Sequence, residues 1–229
     1  MVSLLHKVAA QKRDDREAKL SAYRASRISI PDTAIDLSQY PLSKLTETER
    51  AIVQCDATRI VELIRKRVHT AENVLMAFVK AAIAAQDITN CLSEVCLEEA
   101  FVRARELDHH LDTTGYVVGP LHGLPVSIKD HIKIKGLDTS SGYLGECSVI
   151  CPNRSLIFLF SFYQGWANNT VADSDALVVK ILRNAGAIIY VKTQNPQTLL
   201  VSDTVLLRLT HSLTLFSVTR DRQQRIWED

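Results

Sequence analysis

The chain has 229 residues, 46% of them hydrophobic and 23% charged, with a formal net charge of +1. That length supports one core, or one and a half, and the composition is that of an ordinary soluble globular protein. So even a charge balance gives no electrostatic reason to expect nucleic acid or an acidic membrane as partner.

Residues 1–34 read as a helical and loose lead-in. Within it, Lys12-Arg13-Asp14-Asp15-Arg16-Glu17-Ala18-Lys19 is expected on an exposed helix, a solvated face whose other side packs on the main domain. The segments around Ile30-Pro31 and Pro41-Leu42 read as loose chain. Thr46-Glu47-Thr48-Glu49 opens a helical stretch to Arg67, with Ile52, Val53, Ile60, Val61 and Ile64 at helical spacing. Asp56 before Ala57-Thr58 looks like a new cap, so a break is expected near Cys55-Asp56. Thr70 starts another helix, with Val74, Phe78, Ala81, Ala82 and Ala85 as its inner stripe.

A further helix is expected from Ser93 to about Asp112, with Val95, Ala100, Val102, Ala104 and Leu107 among its apolar residues and Gly115 ending it. His109 and His110 should lie on its exposed side. The apolar run Leu124–Ile128 reads as a strand, introduced by the turn residues Gly119, Pro120, Gly123 and Pro125. Asp175–Ala185, capped by Asp173 or Ser174 and closed at Gly186, reads as a helix feeding the strand Ala187–Val191. Helices first and helix–strand alternation afterwards predict an α/β domain with a helical N-terminal layer.

The strand Leu124–Ile128 ends on Lys129 and Asp130. A lysine at the end of a buried strand must be paired, held neutral, or reach solvent. A neutral lysine is a base, which raises a Ser–Lys type of acyl-transfer site. Ser127 falls on the same face as Lys129 by strand alternation. His122 reads as a turn or core histidine. The five cysteines, Cys55, Cys91, Cys96, Cys147 and Cys151, form an odd set without a secretory signal, which suggests a reducing, cytoplasmic setting. They lack companion histidines at metal-site spacing, so no metal is expected.

The run from Gly119 to Gly145, GPLHGLPVSIKDHIKIKGLDTSSGYLG, resembles the first signature block of the amidase signature family, in its fungal acetamidase-like branch. Asp173–Ala187 and Tyr190-Val191-Lys192-Thr193-Gln194-Asn195-Pro196-Gln197-Thr198 resemble a second block, and Thr89-Asn90-Cys91-Leu92 fits as well. The similarity covers 35–145 and 166–204. It implies the N-terminal part of an amidase signature domain over 35–204, with a partial fold: a helical layer on an incomplete mixed β-sheet. It also implies hydrolysis of a small-molecule carboxylic amide to an acid and ammonia, without a cofactor, nucleic acid or membrane.

The family pattern breaks twice. Between Gly145 and Trp166 the residues 146–165, ECSVICPNRSLIFLFSFYQG, form an atypical insert. Its apolar section is too short for a membrane span, which needs about twenty residues. Gly145-Glu146-Cys147 can be encoded as GGTGAGTGT, a typical intron start, and Gln164 as CAG, a typical intron end. A retained intron is the expected origin. After Thr204 the family continues to an Asp-Asn-Asn-x-Phe-Gly-Arg-Thr run and a Gly-Gly-Ser-Ser-Gly-Gly loop. The tail 205–229 has neither. Codons for Arg222–Asp229 read one base out of frame restore Asp-Asn-Asn-Val-Phe-Gly-Arg-Thr, which suggests a second retained intron.

The resemblance implies a triad of nucleophilic serine, bridging serine and lysine base. Only Lys129 carries over, as the general base; Asp130 is expected to organise the turn. Both triad serines belong to family sequence that this chain does not contain. The resemblance therefore implies an amidase by descent that is inactive as these 229 residues, with a non-catalytic truncated fragment in a binding or regulatory role as the alternative.

Overall fold

A computed structural model describes residues 2–24, 37, 39–140 and 171–195. The insert 146–165, the tail 205–229, Cys147 and Cys151 lie outside the described residues. In chain order the elements are α1 (Val2–Ser21), α2 (Tyr40–Ser43), α3 (Glu47–Val53), α4 (Ala57–Arg65), α5 (Ala71–Thr89), β1 (Leu92–Val95), α6 (Leu97–Thr114), β2 (Pro125–Lys129), α7 (Leu177–Asn184) and β3 (Ile188–Thr193). Helices come first and strands alternate with helices later, an α/β arrangement.

Helix starts follow from local chemistry. Thr46 Oγ1 accepts from Glu49 N at 3.3 Å while Glu49 Oε2 accepts from Thr46 N at 3.0 Å, a reciprocal capping box that starts α3. Asp56 Oδ1 accepts from Arg59 N at 2.7 Å and starts α4, so the expected break at Cys55-Asp56 is present. Thr70 Oγ1 caps α5 by accepting from Asn73 N at 3.1 Å. Asp108 of α6 takes two more donors of that first turn, Ala71 N at 2.7 Å and Glu72 N at 3.1 Å, which locks α5 against α6. Gly115 ends α6 at φ 76°, as expected.

Four expectations are corrected. Pro41 lies in a short helix, α2, rather than loose chain, with the proline where a helical N–H would be orphaned anyway. Ser93 starts no helix: Leu92–Val95 form β1, a four-residue strand with two polar members. Its alternation is too short to read, and pairing with β3 decides it. Helix α7 has neither Asp173 nor Ser174 as its cap. Ala176 takes that position, and Asp175 turns back to accept from Lys135 N at 2.8 Å. On α5 the buried residues include Val74, Leu75, Ala77, Val79, Ile83, Ala84, Ala85 and Ile88, whereas Phe78, Ala81 and Ala82 are only half-buried.

The reason for the last difference is that α5 is covered on two sides. Leu75, Val79 and Ile83 pack with Leu97 and Phe101 of α6 and Ile188 and Tyr190 of β3. Val74 and Ala77 pack with Ile52, Ile60 and Ile64 of α3 and α4. A single stripe cannot describe a helix buried by two layers. Val102, one of the apolar residues of α6, is exposed.

Helix α1 docks more deeply than a solvated face would. Leu20 joins the main core, and Tyr23 just beyond stacks on Phe101 with ring centroids 5.1 Å apart. Arg16 is buried and donates to Leu92 O at 2.5 Å and Asn90 Oδ1 at 2.9 Å, satisfying the start of the short strand β1. Lys12 pairs with buried Asp138, and Arg24 with Asp87 at 2.7 Å. Charged residues thus hold this helix to the domain, and their charge hides that role in the sequence.

The three strands form a mixed sheet in the order β1-β3-β2. β1 runs antiparallel to β3, and β2 parallel to it, with Pro125 opposite Ile188 and Lys129 opposite Thr193. Central β3 is buried along its first five residues, as its run Ile-Ile-Tyr-Val implies for a strand covered on both faces. Ile128, Ile134, Val179 and Ile189 form a third apolar cluster, which fastens α7 to the sheet.

Candidate active site at the ends of strands β2 and β3

The turn before β2 is stitched to the joint between α7 and β3. Leu121 N donates to Ala185 O and Gly123 N to Gly186 O, each at 2.9 Å, and Ile188 N donates to Leu124 O at 2.8 Å. A Cβ at Gly119 would meet Ala185 O at 2.7 Å, so only glycine allows this approach. His122 is fully buried, and its Nδ1 accepts from Val118 N at 3.1 Å. It is a structural turn histidine, as expected. His109, on α6, is exposed.

Burial, with a smaller push from the charge of His110, holds the His122 pKa below its ordinary value. The native state therefore keeps the neutral ring, while the unfolded chain takes up a proton near pH 6.5. The stability from this group is complete above that value and falls as the pH drops below it. Urea midpoints measured between about pH 7.5 and 5.5 should decline less for His122→Gln than for wild type, since the glutamine does not titrate. Equal slopes would remove His122 from the pH response.

β2 delivers its residues to the C-terminal edge of the parallel pair. Ser127 and Lys129 are exposed and Ile128 between them is buried, so the expected shared face is present, and no hydrogen bond joins the two. Lys129 thus reaches solvent; of the alternatives the sequence left open, desolvation at this lysine is not the one observed. Asp130, the next residue, is fully buried. Its carboxylate accepts from Ser93 Oγ at 3.0 Å, Ser140 N at 3.1 Å and Ser140 Oγ at 2.6 Å, and its N–H donates to Thr193 O at 2.9 Å. The expected turn-organising role of Asp130 is what this geometry supplies.

The buried lysine is Lys192, on β3. It has 0% exposure. Its Nζ donates to Asp138 O at 2.5 Å and Thr139 Oγ1 at 3.2 Å and lies 3.6 Å from Asp130 Oδ1. Burial lowers its pKa, against the opposing pull of Asp130 and Glu94. Asp138 in turn pairs with Lys12 of α1. Sequence reasoning assigned Lys192 no role. The available signal was a lysine directly following four apolar residues of a strand that is buried on both faces. Cys96, at the start of α6, is buried and its thiol is pushed up to about 12, chiefly by that burial, so it stays protonated.

The exposed lysine at the C-terminal end of a parallel strand, above a buried Asp–Lys–Ser network, lies where open α/β sheets bind their ligands. The amidase family profile matches residues 73–152. Acetamidase of Emericella nidulans is 34% identical over 196 residues, which cover 83% of this chain and 32% of that protein. Amidase 1 of Gibberella moniliformis is 38% identical over 155 residues, covering 68% of this chain and 26% of the relative. Among solved structures, a fatty acid amide hydrolase superposes with a TM-score of 0.66 at 27% identity, covering 87% of this chain and 32% of that one. The chain belongs to the amidase signature family and is similar to its fungal members. It spans about a third of the length of the curated relatives it matches. Among the described residues no helix is long and apolar enough to cross a membrane.

Proposed function

We propose that this sequence carries the lysine part of an amide-hydrolysing active site, in which Lys129 is the general base of a Ser-Ser-Lys mechanism. The substrate is a small carboxylic amide, cleaved to an acid and ammonia. The observation that carries this reading is the position of Lys129. It stands exposed at the C-terminal end of β2, next to Thr193 of the parallel β3, where ligands of open α/β sheets bind. Its backbone is held on both sides, by Asp130 N to Thr193 O and by Ile132 N to Lys129 O, each at 2.9 Å.

Lys129 takes a proton from a bridging serine, which takes one from the nucleophilic serine as that attacks the amide carbon; one proton passes back along the same path to the leaving ammonia, and water then cleaves the acyl-serine to the acid. Both serines would come from family sequence, the Gly-Gly-Ser-Ser loop included, that the 229 residues do not contain. These residues on their own are therefore proposed to be inactive, with 35–204 as the N-terminal part of the domain, 146–165 and 205–229 as non-family sequence, and the cell interior as its setting.

The test is a chimera joining residues 1–145 and 166–204 to the remainder of the Emericella nidulans acetamidase. Ammonia release from acetamide and benzamide is measured for the 229-residue chain, the chimera and the chimera with Lys129→Ala. The chain alone should match the blank, and Lys129→Ala should lower the chimera's kcat by about 10²–10⁴-fold, the usual contribution of a general base. A chimera indifferent to Lys129→Ala overturns the mechanism. Lys129-dependent ammonia release from the chain alone overturns the inactivity.

A further inference from the structure

We propose that Lys192 is a positioning residue for Lys129, acting through Asp130. It never touches substrate in this role. It sets the direction in which the Lys129 amine leaves the end of β2.

Register comes first. Lys192 sits opposite Ile128, one position before the pair Lys129–Thr193, so the buried ammonium lies beneath the strand ends that carry the exposed one. Its three oxygen neighbours come from two places: Asp138 O and Thr139 Oγ1 from the loop after β2, and Asp130 Oδ1 from the residue that follows Lys129. Asp130 then distributes the constraint. It holds Ser140 of the same loop by two hydrogen bonds and Ser93 of β1 by one, and its N–H is tied to β3. The residue after Lys129 is thereby fixed to all three strands and to the loop, while Lys129 itself stays free to meet solvent.

Stability alone does not account for a lysine here. An ion pair with no exposure loses most of its Coulomb gain to desolvation, and apolar replacements of the whole pair are often neutral or better. A carboxylate that accepts from Ser93 and Ser140 while it lies 3.6 Å from an interior ammonium has one orientation. The uncompensated alternatives are costly, and that is a device for direction. The buried Lys192 and the exposed Lys129 therefore divide two tasks that one lysine at a strand end cannot combine. An interior cation aims, and a solvent-facing amine reacts.

The inference rests on the reading of Lys129 as the base, but its test reads geometry and needs no turnover. The 229-residue chain is treated with succinimidyl acetate, and acetylation of Lys129 is followed by peptide mass spectrometry against pH. Exposed Lys133 and Lys135 of the following loop serve as internal standards. Lys192→Met is expected to change the Lys129-to-Lys133 rate ratio by about threefold or more, because the re-aimed amine meets the reagent differently, and to leave the Lys135-to-Lys133 ratio unchanged. A folded Lys192→Met with the wild-type ratio for Lys129 overturns the proposal, as does an equal change at all three lysines. Should Lys192→Met fail to fold, Thr139→Val carries the test, because it removes one of the acceptors and keeps the ion pair; an unchanged Lys129 ratio there overturns it equally. An acetamidase chimera that keeps its activity with Lys129→Ala would sink the base and leave the labelling result standing.

Discussion

Asp130→Ala should destabilise the chain by about 3–5 kcal/mol, the usual cost of removing one partner from a buried charge pair. The carboxylate it deletes is fully buried and serves three side-chain or backbone donors besides Lys192. After its loss the Lys192 ammonium, with no exposure, keeps its hydrogen bonds to Asp138 O and Thr139 Oγ1 but loses the carboxylate beside it. Ser140 N and both serine hydroxyls lose an acceptor, and an interior donor left bare costs roughly 1–3 kcal/mol. Urea unfolding followed by circular dichroism measures the effect. The decisive comparison is the pair Asp130→Ala with Lys192→Met. Removing the cation as well relieves the uncompensated charge, so the double variant should be more stable than the sum of the two single effects by about 1–3 kcal/mol. Strict additivity would mean that the 3.6 Å approach of the two groups carries no coupling.

Gly186→Ala is expected to cost about 2–5 kcal/mol, from a left-handed backbone and from overpacking together. Gly186 has φ 92°, and a Cβ there would lie 2.8 Å from His122 Cα and 3.1 Å from His122 N. Those are backbone atoms of the turn before β2, so relief requires the turn to move. The same turn holds Gly123 N on Gly186 O, and moving it displaces the strand that ends in Lys129. Gly136→Ala is the control. Gly136 has φ 82° but nothing within 4 Å of its Cβ position, so it pays the backbone strain alone, about 1–2 kcal/mol. Equal losses for the two variants would show that the contact between Gly186 and His122 does not hold the turn.

Both predictions concern residues whose importance the sequence expresses unevenly. Gly186 is visible as a helix stop before a strand, because a glycine after an amphipathic run has a local meaning. Its contact with His122 is not visible, because it joins segments separated by more than sixty positions of chain. Asp130 is visible as the residue beside a strand-end lysine, and its structural role could be expected from that. Its partners Ser93, Ser140 and Lys192 come from three separate segments, and no spacing rule connects them.

The elements divide in the same way. The starts of α3, α4 and α5 are written in Thr46, Asp56 and Thr70, whose side chains bond the backbone three residues on. The stop at Gly115 and the strands β2 and β3 are equally local. β1 is not, because four residues with Ser93 and Glu94 among them have no strand signature until β3 pairs with them. Nor is the docking of α1, where Arg16 is buried by finding Leu92 O and Asn90 rather than by being apolar.

The sequence alone therefore determined the family, the α/β class, the helix boundaries set by capping side chains, and Lys129 as the residue at the end of the signature strand. These depend on contacts within a few residues or on ordered motifs along the chain. Only the tertiary structure decided which lysine is buried. Lys129 and Lys192 both end apolar strand runs, and burial is set by what lies above each strand end. β3 is the middle strand and its Lys192 meets Asp130, Asp138 and Thr139, whereas the outer position of β2 leaves Lys129 in solvent.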